Sequence, residues 1–270
     1  MLIRTNVTNI GDPFIVNNGE HYYMYATSFD VEGFKVWKSD DMVEWKCLGV
    51  CLDLSDSWTC QDFWAPEVIY HKGKYIMHYT ARRKEDDSLR IGVAVSEKPE
   101  GPFTDFHKGP MFDLGYAAID GHVFQDDDGK AYLYFGGGVP VDKIDNPGTG
   151  RVIQLGDDMI STVGEAQVID APYIFEDSGI HKFNDKYYYT YCSNWQVSAE
   201  GTAKYGFKPP RARPAANVTA CSSSIPTSKK RSGIFSASLF IPQPDAMAGV
   251  IPTILSFFCA SSTSISPKTS

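Results

Sequence analysis

Four carboxylates recur along this chain at nearly one interval: Asp12 in GDPF, Glu67 in WAPE, Asp120 in AIDGH and Glu176 in YIFED. Their numbers step by 55, 53 and 56. Carboxylic acids serve as general acid and general base when one is held protonated and another ionised, and their surroundings decide which is which. Groups so far apart in sequence act together only if the fold gathers them. The segments that follow them indicate that it does. Behind each carboxylate lies an aromatic, strand-forming run: GEHYYMYATS (19–28), GKYIMHYTAR (73–82), DGKAYLYFGG (128–137) and NDKYYYTYCS (184–193). Aligned on these runs, Tyr22, Tyr75, Ala131 and Tyr187 are equivalent, and their numbers step by 53, 56 and 56. A repeat of this length, rich in Tyr, Phe, Val and Ile and punctuated by Gly, Asn and Asp, is the signature of propeller blades. In a propeller, equivalent positions of successive blades converge on one axis, so the phased carboxylates are expected at a single site.

Within the first repeat, DPFIVNN, HYYMYATS, FKVWKSD and EWKCLG read as four strands joined by short turns. The second repeat continues with APEVIYH, KYIMHYTA, RIGVAVS and GPFTDF, and the third with HVFQ, AYLYFGG and RVIQL. The fourth begins with APYIFED, IHKF and KYYYTYCS. Nothing before residue 196 has the period of a long amphipathic helix. Connections this short leave no room for the crossover helices of a parallel sheet. The expected class is all-β, a propeller with about three and a half blades recognisable.

The 270 residues carry a formal net charge of −8. That balance disfavours binding to a phosphate backbone, so no nucleic-acid partner is expected. No apolar run reaches the roughly 18 residues that a spanning helix needs, so no membrane partner is expected. The N-terminal MLIRTNVTNIGDPF holds no apolar stretch of signal-peptide length, and a cytoplasmic location is the expectation. Six cysteines (47, 51, 60, 192, 221 and 259) form no CxxC pair and have no histidine at zinc spacing, and they read as reduced thiols.

The composition changes abruptly near residue 209. Residues 1–200 have a charge balance of −15, whereas residues 201–270 contain one acid, Asp245, and a balance of +7. Beyond Lys208 there is no Tyr or Trp, and residues 221–270 hold 13 serines. The expected division is a partial propeller over 1–208 and an atypical Ser/Pro-rich basic tail over 209–270. A flexible tail and a shifted reading frame both fit this break. The apolar runs GIFSASLFI and GVIPTILSFFCA suit the second better than the first. On either reading the fourth repeat is incomplete, which would leave an open array with an exposed edge.

GDPF, WAPE, IDGHVFQDDDGKAYLYFGG and APYIFEDSGIHKFNDKYYYTY, in that order and phase, resemble glycoside hydrolase family 43 over roughly residues 8–196. The resemblance implies a five-bladed propeller that cleaves xylose- or arabinose-containing oligosaccharides of plant hemicellulose with inversion at the anomeric carbon. It implies Asp12 as general base, Asp120 as the residue that holds the acid and adjusts its pKa, and Glu176 as general acid. The chemistry agrees with that assignment. An inverting glycosidase sets its two carboxyl groups roughly 6.5–9.5 Å apart to admit a water, and its acid must keep a proton near neutral pH. A second carboxylate beside the acid favours the protonated form. Asp170, in IDAP, is the rival acid. It stands further back from Tyr187 than Glu176 does, and the Glu176 offset of 11 equals that of Asp120 from Ala131, so phase favours Glu176.

Around these three, substrate-binding positions are expected at Trp64, Phe63, Glu67, His122 and His181. Trp64 and Phe63 either stack on the apolar face of a pentose ring or pack as core. Glu67 either binds a substrate hydroxyl or is a buried structural carboxylate satisfied by backbone donors. His122 and His181 are expected to hydrogen-bond near the catalytic residues rather than to ligate metal. Asp126, Asp127 and Asp128 read as a hairpin turn, since their spacing matches no calcium loop. No cofactor is expected to be required, and a structural calcium ion in the pore has no support in the sequence. The alternative to a pentose-releasing enzyme is a carbohydrate-binding propeller remnant without activity.

Overall fold

A computed structural model describes residues 5–137, 150–169, 174–183, 186–193 and 239–240. All regular structure among them is β. The strands are β1 (Gly11–Asn17), β2 (Tyr22–Thr27), β3 (Gly33–Ser39), β4 (Lys46–Asp53), β5 (Thr59–His71), β6 (Lys74–Arg83), β7 (Leu89–Ser96) and β8 (Thr104–Asp105). They continue with β9 (Ile119–Gln125), β10 (Ala131–Gly136), β11 (Gly150–Leu155), β12 (Thr162–Ile169), β13 (Ile174–Phe183), β14 (Lys186–Ser193) and β15 (Leu239–Phe240). Strands β1–β4, β5–β8, β9–β12 and β13–β14 make four antiparallel sheets, each in sequence order, referred to below as blades one to four. The two-residue β15 adds to the open side of β1 in parallel, pairing Leu239 with Ile15 and Phe240 with Val16. The rest of the 209–270 segment, and Asp170, lie outside the described residues.

Alternation along the strands builds the stack. In β1 and β2, Phe14, Val16, Tyr23 and Tyr25 face blade two, where they meet Phe63, Val68, Met77 and Tyr79 in one buried cluster. Ile15, Met24 and Ala26 point the other way and pack with Trp37 and Trp45. Ile69, Ile76, Ile91 and Val93 join blade two to Val123, Leu133 and Phe135 of blade three. Ile180, Tyr189 and Tyr191 of blade four cluster with Phe124 and Tyr134 of blade three. Burying apolar faces between successive sheets is the main stabilising term in such a stack.

The turns carry the residues their geometry demands. Lys72 and Gly73 link β5 to β6 with φ of 47° and 83°, the double left-handed pair of a tight hairpin. Asp126–Lys130 forms the expected hairpin loop. The Asp126 N–H donates to the Lys130 carbonyl, and Gly129 sits at φ 83°. Two details differ from expectation. Strand β12 lies in a GEAQVI stretch whose polar content hid it, and blade four's IFED and IHKF are one bulged strand, β13.

Candidate active site

The first strands of the four blades are neighbours in order, β1 beside β5, β5 beside β9 and β9 beside β13. Each carries a bulge at a matching place, and there one residue that is not glycine has positive φ. These residues are Asp12 (46°), Ala65 (41°), Asp120 (54°) and Asp177 (61°). A bulge adds a residue, bends the strand and re-aims a side chain. Ladder register makes the four equivalent. Each lies five positions before the residue paired with Tyr22, Tyr75, Ala131 or Tyr187, namely Asn17, Tyr70, Gln125 and Lys182.

That register corrects the phasing expected from sequence. Glu67 is not the blade-two counterpart of Asp12; Ala65 is, and Glu67 lies two positions deeper. Glu176 is not in phase either. The matched position is Asp177, and Glu176 pairs with Cys192 as Gly11 pairs with Thr27. The error has a physical source. The loop between β9 and β10 is one residue longer than its counterparts, so an offset counted back from Ala131 overshoots when transferred to Tyr187.

The bulges frame an open cavity lined by Asp12, Pro13, Phe14, Ala65, Pro66, Glu67, Asp120, Gly121, His122, Asp177 and Ser178. Asp12 receives a 2.6 Å hydrogen bond from the Thr27 hydroxyl. Burial raises its pKa, and Thr27 opposes the shift. Asp120, half-buried in the cavity wall, is pushed up to about 8 by burial first, then by the charges of Asp12 and Asp177. One donor opposes that rise, the Asp177 N–H, 3.1 Å from Asp120 Oδ2. Glu176 is held well above the usual carboxylate range by burial, then by repulsion from Asp120, Asp12 and Asp177. Asp12, Asp120 and Glu176 therefore share one electrostatic site, although Glu176 is not among the residues that line the cavity.

Glu67 is buried with both oxygens engaged, Oε1 accepting the Val123 N–H at 2.9 Å and Oε2 lying 2.8 Å from His122 Nδ1. Burial pushes the His122 pKa down, but the Glu67 charge and hydrogen bond outweigh it, and the net shift is upward. The His181 ring centre lies 6.5 Å from that of His122, and burial with the His122 charge lowers its pKa. Phe63 presents no face for stacking. It is 7% exposed and meets Phe34 edge-on in the core between blades one and two. Trp64 is half-buried beside Leu89, Ala117 and Ile119. Among the described residues no cluster of His, Cys, Asp and Glu is arranged to hold a metal ion.

Sequence reasoning missed Thr27, Thr80 and Asp177. The threonines lie on the second strands opposite the bulges, and only their position relative to those bulges could have flagged them. Asp177 stands next to Glu176 in a short motif where one acid had been assigned a role.

Comparison with known proteins places this geometry in context. Residues 6–213 match the family model described as glycosyl hydrolases family 43. The chain is 44% identical over 147 residues to an arabinoxylan arabinofuranohydrolase of Paenibacillus polymyxa, covering 49% of this chain and 22% of that protein. It is 36% identical over 214 residues to xylosidase/arabinosidase 43A of Humicola insolens, covering 65% of this chain and 63% of that one. The chain thus spans less than two thirds of the length of these curated relatives. Among solved structures, an α-L-arabinofuranosidase from Clostridium thermocellum superposes with a TM-score of 0.58 at 30% identity, covering 73% of this chain and 68% of that one.

Proposed function

The chain belongs to glycosyl hydrolases family 43, and from that premise we propose that it is an inverting glycosidase releasing arabinose or xylose from hemicellulose oligosaccharides. The observation that carries this reading is the convergence of Asp12, Asp120 and Glu176 from three blades, with the last two biased toward their protonated forms. Asp12, the carboxylate held by a hydroxyl donor, is the general base that activates water. Glu176 delivers its proton to the departing glycosidic oxygen. Asp120 and Glu176 repel each other when both are ionised, so the pair holds on to a proton, and that coupling is how Asp120 adjusts the acid.

Glu67, fixed by His122, forms part of the cavity wall beside the reacting ring. No cofactor is required by these steps. The name of the Paenibacillus polymyxa relative favours arabinofuranosyl release, and that of the Humicola insolens relative includes both sugars. On the same reading the complete fold is a five-bladed propeller, of which about three and a half blades are recognisable in this chain. The test is hydrolysis of aryl α-L-arabinofuranoside and aryl β-D-xyloside, with the anomer first formed followed by proton NMR. Initial release of β-arabinose from the α-arabinofuranoside supports the proposal. Retained configuration, or no turnover of either substrate, counts against it.

A further inference from the structure

Asp12 and Asp120 occupy equivalent backbone positions, and what separates them is the residue across the ladder. The residue just before each bulge pairs with a fixed place on the second strand: Gly11 with Thr27, Trp64 with Thr80 and Ile119 with Gly136. In blades one and two that place carries a buried hydroxyl, and it does the same job twice. Thr27 Oγ1 accepts the Ala65 N–H at 2.9 Å, and Thr80 Oγ1 accepts the Asp120 N–H at 3.0 Å, each tying its blade to the next. Thr27 does something more, because its own blade has a carboxylate at the bulge: its proton is donated to Asp12 Oδ2 at 2.6 Å. Thr80 has only Ala65 at that place. Gly136 has no hydroxyl at all, and the next blade's bulge N–H, from Asp177, goes to the Asp120 carboxylate instead.

We propose that Thr27 is the positioning residue of the site, orienting the Asp12 carboxylate and keeping it ionised, and that Gly136 at the matching place in blade three is what frees Asp120 for the opposite duty. The inference rests on the assignment of Asp12 as general base. The geometry supports it from both sides. The Thr27 hydroxyl has one proton to give, and because its oxygen already accepts the Ala65 N–H, that proton is left to point at Asp12. The other charged groups facing Asp12 are Asp120 on β9, Glu176 and Asp177 on β13, and Glu67 with His122 across the cavity. Burial favours protonating Asp12, and an ionised Asp12 is felt as a charge by Asp120 and Glu176, so the threonine is the contact that works for the ionised form.

The test reads Asp12 directly. Carboxyl carbon-13 NMR of the whole protein, labelled at aspartate, gives the Asp12 titration midpoint, its resonance identified by its disappearance in Asp12→Asn. Thr27→Val keeps the shape and removes the hydroxyl, and should raise that midpoint by about one to two pH units, the span for losing one hydrogen bond to a charged acceptor. Thr27→Ser should restore it. Thr80→Val removes the matching inter-blade bond without touching a carboxylate in its own blade, and should leave the Asp12 midpoint where it was. In turnover, the acidic limb of kcat/KM should move to higher pH in Thr27→Val alone. An unmoved Asp12 midpoint in Thr27→Val, or an equal shift in Thr80→Val, would make Thr27 a strut between blades and overturn the proposal. Full activity of Asp12→Asn would instead remove the base assignment, leaving the NMR result to stand or fall by itself.

Discussion

Asp177 acts on Asp120 twice, by its charge and by its main chain: the Asp177 N–H lies 3.1 Å from Asp120 Oδ2. One carboxylate oxygen of Asp120 is thereby held by the strand that carries Glu176, and the two titrating groups are bound to move together. Exchanging one for its amide should therefore disturb protons more than shape.

Glu176→Gln should abolish hydrolysis of substrates with poor leaving groups and hurt activated aryl glycosides much less. The amide cannot supply a proton to the departing oxygen, and an activated leaving group hardly needs one. Asp12→Asn should lower turnover on both kinds of substrate. The measurement is kcat/KM across a series of aryl leaving groups; equal losses for both variants throughout the series would contradict the division of roles.

Asp120→Asn should flatten the dependence of stability on pH. With its folded pKa pushed up to about 8 and an unfolded value near the ordinary 3.8, native Asp120 keeps its proton where the unfolded chain has lost it. Its stabilising contribution is complete below the unfolded value and is lost as pH rises from about 4 to about 8. The variant should lack up to one proton's worth of that slope, about 1.4 kcal/mol per pH unit, and should gain on the parent as the medium turns alkaline. Urea melts at several pH values between 4 and 9 provide the check.

Glu67→Gln should cost about 3 kcal/mol, because it leaves His122 buried without its counter-charge. His122 has a raised folded pKa, so its contribution is fully present below the ordinary imidazole value and disappears as pH rises through the folded value. The deficit of the variant should accordingly be greater at pH 6 than at pH 9. A deficit independent of pH would mean that packing, not charge, holds the pair.

Phe63→Ala should lower stability by about 3–5 kcal/mol, the usual loss for emptying a buried aromatic site. It should leave KM almost unchanged in the protein that remains folded. Phe63 is packed against Phe34 between two blades and offers no face to a sugar. A large rise in KM with unaltered stability would restore it as a substrate contact.

The blade repeat was legible because each second strand is a dense aromatic run, and such runs can be aligned without knowing any loop length. The gathering of Asp12 and Asp120 at one site followed from that alignment. Finer phase was not legible. Glu67 and Ala65 differ by two positions across a bulge, and bulges leave no mark in residue type when one of the four positive-φ residues is an alanine. Asp177 was hidden by the longer DDDGK loop of blade three, which shifts any count made back from its second strand. Thr27 was invisible for a different reason: a threonine at a strand end is unremarkable until the partner across the ladder is known.

The bonds from Ala65 to Thr27, from Asp120 to Thr80 and from Asp177 to Asp120 run round the site in one direction, each blade registered on the one before it. Such an assembly is dimensioned like a row of parts measured end to end, with no common datum. Placement errors add along the row. The gap that an inverting reaction needs to hold most closely, between base and acid, spans blades one to four and so collects the play of all three joints. Tightening or loosening any single joint, even one as remote from both groups as Thr80, is then a way of tuning the width left for water.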